Sequence, residues 1–273
     1  MGGRDMTQAQ EIWSDIEKIQ NQNPIILNIT NFVVTNSTAN ALLSLGAKPI
    51  MTPSLLEVEE LVPIAKAIVI NIGRLNEPSV QLMYKARVAA EENGVPVVLD
   101  PVGSGTTQMR TSTSLRFLNE FKPTVVRGNS VEIVTLAQES GAIKSKQGPE
   151  GEDQTLHAVQ ALAKAKSCIV SVSGATDIIS DGQTTYRITN GHPLMGRVTG
   201  LGCTTTSLIG AFLAVDNSPV KSANNAIALM GIAGEMAAKD AKGPGSLQLN
   251  IYDTLYSITA SDLEEHLKIE VSE

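Results

Sequence analysis

The sequence predicts an α/β fold, with a largely parallel central sheet, helices on both of its faces and an antiparallel hairpin at one edge. Three observations carry that prediction. Short, wholly apolar runs alternate with amphipathic runs of helical period, the pattern of parallel strands buried on both sides. Aromatic residues are only 3% of a chain that is 42% hydrophobic, so the core must be aliphatic. Late in the chain, Asp181-Gly182 separates two short apolar runs, a hairpin signal that ends the parallel series.

The elements follow in order. Residues 6–21 read as a packing helix, with Ile12, Ile16 and Ile19 at helical spacing beside Trp13. Pro24–Asn28 is a short buried strand, and a helix over Thr35–Leu45 stops at Gly46. Lys48–Met51 is the next strand, and Ser54 is a candidate cap for a helix carrying Leu55, Val58, Leu61 and Val62. The pattern then becomes regular. Ala67–Asn71, Val95–Asp100, Pro123–Arg127 and Ser167–Val172 are strands. Helices over Asn76–Asn93, Ser112–Phe121, Ser130–Gln138 and Leu156–Lys164 lie between them. Asp177–Ser180 and Thr184–Ile188 form the hairpin, and 202–216, 220–240 and 246–258 are helical. The charged loop Glu139–Gln154 reads as a surface insertion, with a lid as the second reading.

The 273 residues suit one large domain spanning 1–273. A net charge of -7 with no basic run argues against nucleic acid as a partner. A small anion remains possible, because a local seat can be positive on an acidic protein. Cys168 and Cys203 fit no zinc or CxxC spacing, which points to a reduced, cytoplasmic setting. No signal-peptide core and no membrane-spanning run is expected.

The polar residues are informative by position. Ligands of open α/β sheets bind beyond the carboxyl ends of the strands. Those ends carry Asn28, Met51, Asn71, Asp100, Arg127-Gly128-Asn129 and Ser173-Gly174. Asn, Ser and Gly also end strands simply because they suit turns. Asp100 and Arg127 are harder to dismiss, since a charge at a buried strand end needs a partner. Asp100 is a candidate Mg²⁺ ligand, and Glu132, one turn into the next helix, is a second. The plain alternative for Glu132 is complementarity to the helix dipole. Arg127 suits a phosphate, or else an ion pair with Asp100 or Glu132.

Downstream, Arg197–Phe212 passes from a polar loop through Gly200 and Gly202 into an apolar helix expected to start at Gly202 or Cys203. The free amides of that first turn make a seat for an anion. Glycines there let the chain approach a ligand closely, and Cys203 stands at the rim, where a thiol pKa tends to fall. A helix that merely turns a corner explains the same residues. A carboxylate for magnesium, a cation for phosphate and an anion seat together suggest phosphoryl transfer. There is no Walker A motif, and Thr205 stands where a dinucleotide fingerprint needs its third glycine. His157, His192 and His266 have no metal spacing; His192 reads as a loop residue and Cys168 as a core one.

Taken together, Asn28–Asn31, Thr38–Ala47, Asn71–Gly73, Leu99–Gly103, Arg127–Ile133, Asn190–His192, Val198–Cys203 and Gly243–Ser246 resemble the hydroxyethylthiazole kinases, over nearly the whole chain. The resemblance implies a ribokinase-like three-layer α/β/α fold. It implies ATP- and Mg²⁺-dependent phosphorylation of the alcohol of 4-methyl-5-(2-hydroxyethyl)thiazole, in thiamine synthesis and salvage. It also implies a homotrimer with active sites between subunits. Carried over by motif, Met51 and Gly200 contact the thiazole with Asn28 nearby. Arg127 and Ser173 contact ATP beside Gly202, Asp100 and Glu132 serve the metal, and Cys203 stands where related sugar kinases place an aspartate base. Leu201 departs from the smaller residue usual between the glycines, which narrows the seat. Two other readings stand beside the kinase: an ATP- or ADP-dependent NAD(P)H-hydrate dehydratase on the same fold, and an idle nucleotide-binding scaffold.

Overall fold

The computed structural model describes residues 6–144 and 151–272. The first helix, α1 (Gln8–Gln22), is capped reciprocally by Thr7 and Gln10 and buries Ile12, Ile16 and Ile19. Then come β1 (Ile25–Ile29), α2 (Thr35–Leu45) and β2 (Lys48–Met51). Gly46 ends α2 in the left-handed conformation at φ 105, as its glycine signals. The short α3 (Val58–Leu61) starts at Glu57 with no side-chain cap. Ser54 does not cap it as the sequence suggested; its hydroxyl accepts from Leu56 N within the preceding turn.

Next are β3 (Ala67–Asn71), α4 (Glu77–Asn93), β4 (Val97–Asp100) and α5 (Gln108–Glu120). α5 begins four residues before its expected start, because the Thr107 hydroxyl caps it by accepting from Arg110 N. β5 (Val125–Asn129) runs straight into α6 (Ser130–Glu139), with Asn129 as the cap. α7 (Glu152–Lys166) leads to β6 (Ile169–Ser173). Of the loop 139–154, residues 145–150 lie outside the described residues, and with them the lid reading. The hairpin β7 (Asp177–Ser180) and β8 (Thr185–Ile188) forms as predicted. A 3-10 turn over Pro193–Arg197 precedes α8 (Leu201–Leu213), α9 (Pro219–Ala238) and α10 (Pro244–Ser257). Two elements the sequence reading left out close the chain, α11 (Ala260–His266) and β9 (Ile269–Ser272).

Among the described residues nine strands join one sheet in the order β2-β1-β3-β4-β5-β6-β7-β8-β9. β1 to β6 are parallel to one another; β7, β8 and β9 are antiparallel to their neighbours. Successive strand residues point to opposite faces. Val98 and Val125 therefore enter one core with α1, α2 and α8–α11, while Leu99 and Val126 enter the other with α3–α7. α8 lies against β1, β3 and β4 and is covered by α2 and α9. Gly210 permits that approach, since a Cβ there would stand 3.2 Å from Ile26. Among the described residues, no helix is long and apolar enough to cross a membrane.

Candidate active site

The carboxyl ends of β1–β6 share one edge of the sheet. Read in strand order, that edge presents Met51, Asn28, Asn71, Asp100, Arg127 and Ser173. Neighbouring strands lie about 4.8 Å apart, so Asp100 stands roughly 14 Å from the strand of Met51 and roughly 10 Å from that of Ser173. The order across the sheet separates a Met51 side from a Ser173 side, with Asp100 between them.

α8 points its N-terminus at this edge. It begins at Leu201, one residue earlier than the sequence suggested, with Gly200 as the cap at φ 79. A Cβ on Gly200 would overlap Val34 Cγ1, so both the backbone conformation and the packing demand glycine. The first intrahelical bond is Thr204 N to Gly200 O at 2.9 Å. The amides of Leu201, Gly202 and Cys203 donate to no acceptor among the described residues, as expected for an uncapped first turn. Gly202 serves a close approach of its own, because a Cβ there would sit 2.7 Å from Arg127 Nη1.

Asp100 is 2% exposed. Its Oδ2 accepts from Asn71 Nδ2 at 2.6 Å and from Thr206 Oγ1 of α8 at 3.0 Å. Asn71 is held in turn by Gly73 N and by Asn31 Nδ2, which both donate to its Oδ1. Burial pushes the Asp100 carboxyl up to about 6; Arg127 lowers it and Glu132 raises it further. Glu132 accepts from Asn129 N through Oε2 at 2.8 Å, the capping interaction expected of a first-turn Glu. It does more than cap, because its Oε1 accepts from Gly103 N at 2.7 Å and ties down the loop after β4. Arg110 ties that loop to the one after β3, donating to the carbonyls of Val102, Ile72 and Gly73.

Arg127 is 8% exposed, and its Nε has no hydrogen-bond partner. Among the described residues no carboxylate forms an ion pair with it, so the pairing with Asp100 or Glu132 that the sequence left open is not made. Its guanidinium lies against the first turn of α8. Arg127, Ser173 and Gly202 line one cleft of about 590 Å³, together with Leu201, Thr205 and Asp177. Burial pushes the Asp177 carboxyl up to about 6, against the lowering effects of its bond from Gly174 N and of Arg127.

Cys203 stands beside Asp100 and Asn71. The expected fall in its pKa does not occur. Burial pushes the thiol up to about 12 and the adjacent Asp100 adds to the rise, while Asn71 and Arg127 offset it only in part. Asn28 sits at the end of β1 beside Met51, with its polar atoms turned to the protein. It is buried, its amide donates to Ile26 O, and its Oδ1 accepts from Ser207 Oγ at 2.7 Å, so its polar atoms fasten β1 to α8. Met51 pairs with Asn28 in the sheet and is half-buried.

Asp100 and Glu132 have the donor chemistry a hard divalent cation prefers. No hydrogen bond reaches Asp100 Oδ1 among the described residues, and no group of three His, Cys, Asp or Glu side chains could cage a metal there. That fits Mg²⁺, which is commonly held by one or two carboxylates plus water and substrate phosphates. The sequence reading assigned nothing to Thr206, Ser207, Arg110 or Asp177. The run Thr204–Ser207 inside an apolar helix was the available signal for the first two; Arg110 and Asp177 had none, since their partners are distant in the chain.

Comparison with known proteins gives a consistent answer. A model of the hydroxyethylthiazole kinase family matches residues 16–261. The hydroxyethylthiazole kinase of Syntrophus aciditrophicus is 46% identical over 267 residues, 97% of this chain and 98% of the relative. The structure of a hydroxyethylthiazole kinase from Pyrococcus horikoshii superposes with a TM-score of 0.91 at 41% identity, covering 97% of this chain and 100% of the other. A ribokinase-like superfamily protein from Enterococcus faecalis, 15% identical over 97% of this chain and 91% of its own, superposes with a TM-score of 0.65 and shares the fold.

Proposed function

The chain belongs to the hydroxyethylthiazole kinase family, and from that premise we propose how its residues transfer a phosphoryl group. It is an ATP-dependent kinase acting on the alcohol of 4-methyl-5-(2-hydroxyethyl)thiazole, with a ribokinase-like fold. The dehydratase reading finds no support among these relatives.

ATP occupies the cleft between the ends of β5 and β6 and the start of α8. Its phosphates face Arg127 and the free amides of Leu201–Cys203, and Ser173 offers a hydroxyl. The observation that carries this reading is the Arg127 side chain, 8% exposed at the cleft wall, with Nε unpaired and no carboxylate within ion-pair distance among the described residues. Such a cation is costly unless an anion completes it. The alcohol enters from the Met51 and Gly200 side, with Asn28 holding the strand end in place. Asp100 and Glu132 would hold Mg²⁺, which when bound supplies positive charge against the phosphates. The alcohol oxygen forms its bond to the γ-phosphorus as the bond from phosphorus to the β,γ-bridging oxygen breaks, and ADP departs. Cys203, a neutral thiol, shapes the alcohol's seat, and the alcohol proton leaves on the transferred phosphoryl group.

The same reading makes the enzyme a cytoplasmic homotrimer in thiamine synthesis and salvage. Exposed Phe32, Val33 and Leu56, near the ends of β1 and β2, are apolar surface suited to contact between copies. The activity is tested by incubating the protein with ATP, Mg²⁺ and the thiazole alcohol. ADP release above the control without thiazole is expected; release equal to that control would sink the proposal.

A further inference from the structure

Besides Arg127, the end of β6 and α8, the cleft is walled by the segment from Thr189 to Gly196, between β8 and α8. Pro193 and Met195 line it with Ile227 and Met230 of α9, an apolar surface of the kind a nucleobase packs against. Its seat on α9 is cut by two glycines. A Cβ on Gly231 would stand 2.7 Å from Asn190 Cβ, and one on Gly234 would overlap Met195 Sδ.

The segment is held by residues from the end of the chain. Asn190 is 5% exposed and its side chain faces the turn between α11 and β9. Its Nδ2 donates to His266 O at 2.7 Å, and its Oδ1 accepts from Lys268 N at 2.8 Å. Thr189 N also donates to Lys268 O, at 3.1 Å. On the next residue, Gly191 N donates to Glu235 Oε1 at 2.9 Å, and Lys268 Nζ donates to that same oxygen at 2.9 Å. Burial would raise the Glu235 carboxyl, but the Gly191 amide and Lys268 more than offset it and hold it below its usual value. Asn190 thus makes the two bonds a backbone strand neighbour would make, at a point where β8 has ended.

We infer that His266–Lys268, acting through Asn190 and Glu235, is a positioning clamp that fixes the nucleobase wall of the ATP cleft. None of these residues touches the reacting atoms. The inference rests on reading this cleft as the ATP site, and it adds the C-terminal segment to that site as a working part. A clamp of this kind acts on nucleotide affinity and leaves the alcohol side and the chemical step alone.

The test is steady-state kinetics of Asn190→Ala, Lys268→Met and Lys268→Arg, with the melting temperature recorded for each. Losing both Asn190 bonds is expected to raise KM for ATP about tenfold, leaving kcat and KM for the thiazole alcohol within about twofold. Lys268→Met is expected to raise KM for ATP about threefold, and Lys268→Arg to restore it, as an arginine still reaches Glu235. The Lys268 side chain is 56% exposed, so its variants fold even where Asn190→Ala does not. A competent parent enzyme whose Lys268→Met and folded Asn190→Ala forms keep KM for ATP within twofold overturns the clamp alone. So does a parallel loss in kcat and both KM values that follows the melting temperature, the mark of a merely structural role. A parent that releases no ADP with thiazole overturns the kinase reading and the clamp together.

Discussion

Replacing Arg127 by Met separates binding from stability, because the structure predicts opposite signs for the two. The Arg127 guanidinium is buried, lacks a partner at Nε and makes no carboxylate ion pair among the described residues. In the free enzyme its partial burial is therefore a cost that the more distant Asp100 and Asp177 carboxyls offset only in part, of the order of a few kcal/mol at most after relaxation. Methionine fills much of the same space and removes that charge. The variant should melt at or above the parent temperature, where roughly 2–4 °C corresponds to 1 kcal/mol. Phosphate binding should move the other way. A hydrogen bond to a charged group contributes about 1.5–3 kcal/mol, so kcat/KM for ATP should fall about 10- to 100-fold. Differential scanning fluorimetry and coupled ADP release measure the two quantities on one preparation. A melting temperature lowered by several degrees with kcat/KM for ATP unchanged would refute the argument. It would mean that Arg127 is a structural cation with a partner and the phosphates bind elsewhere.

Three further outcomes follow from the same geometry. Gly200→Ala combines a φ of 79 with overlap onto Val34, and left-handed strain plus overpacking should cost about 2–4 kcal/mol, read as a lower urea midpoint. In the chain without nucleotide or metal, the Cys203 thiol is raised to about 12, so iodoacetamide alkylation at pH 8 should be far slower than that of free cysteine. An alkylation rate matching free cysteine would restore the thiolate reading. Asp177, raised to about 6 by burial, is favoured in its protonated form on folding. Its stabilising contribution is present below the unfolded value near 3.8 and is lost as pH rises through 6, so Asp177→Asn should gain stability relative to the parent between pH 4 and 7. A stability difference that stays flat across that range would contradict the assignment.

The local sequence already contained most of the fold, for reasons that are local. Gly46 and Gly94 end α2 and α4 in left-handed conformations that glycine adopts freely, and Asp181-Gly182 turns the hairpin. α5 starts earlier than expected because the Thr107 hydroxyl accepts from Arg110 N and Gln108, Met109 and Arg110 are themselves good helix formers. The last strand escaped notice because Ile269–Ser272 is mostly exposed, and only pairing with β8 makes it a strand.

For the site, the sequence determined which residues stand at the strand ends, since side-chain alternation and strand length fix that much. Asp100, Arg127 and Ser173 were legible in this way. What only the tertiary structure decided is what each of them meets. The Arg127 guanidinium lies against Gly202, seventy-five positions away; Asp100 is gripped by Thr206 from the helix layer packed on its face of the sheet; Asn28 turns inward to Ser207; and the Cys203 thiol is driven up by its burial beside a carboxylate. Charge, desolvation and hydrogen bonding depend on distance in space, and a chain 273 residues long sets those distances only when it folds.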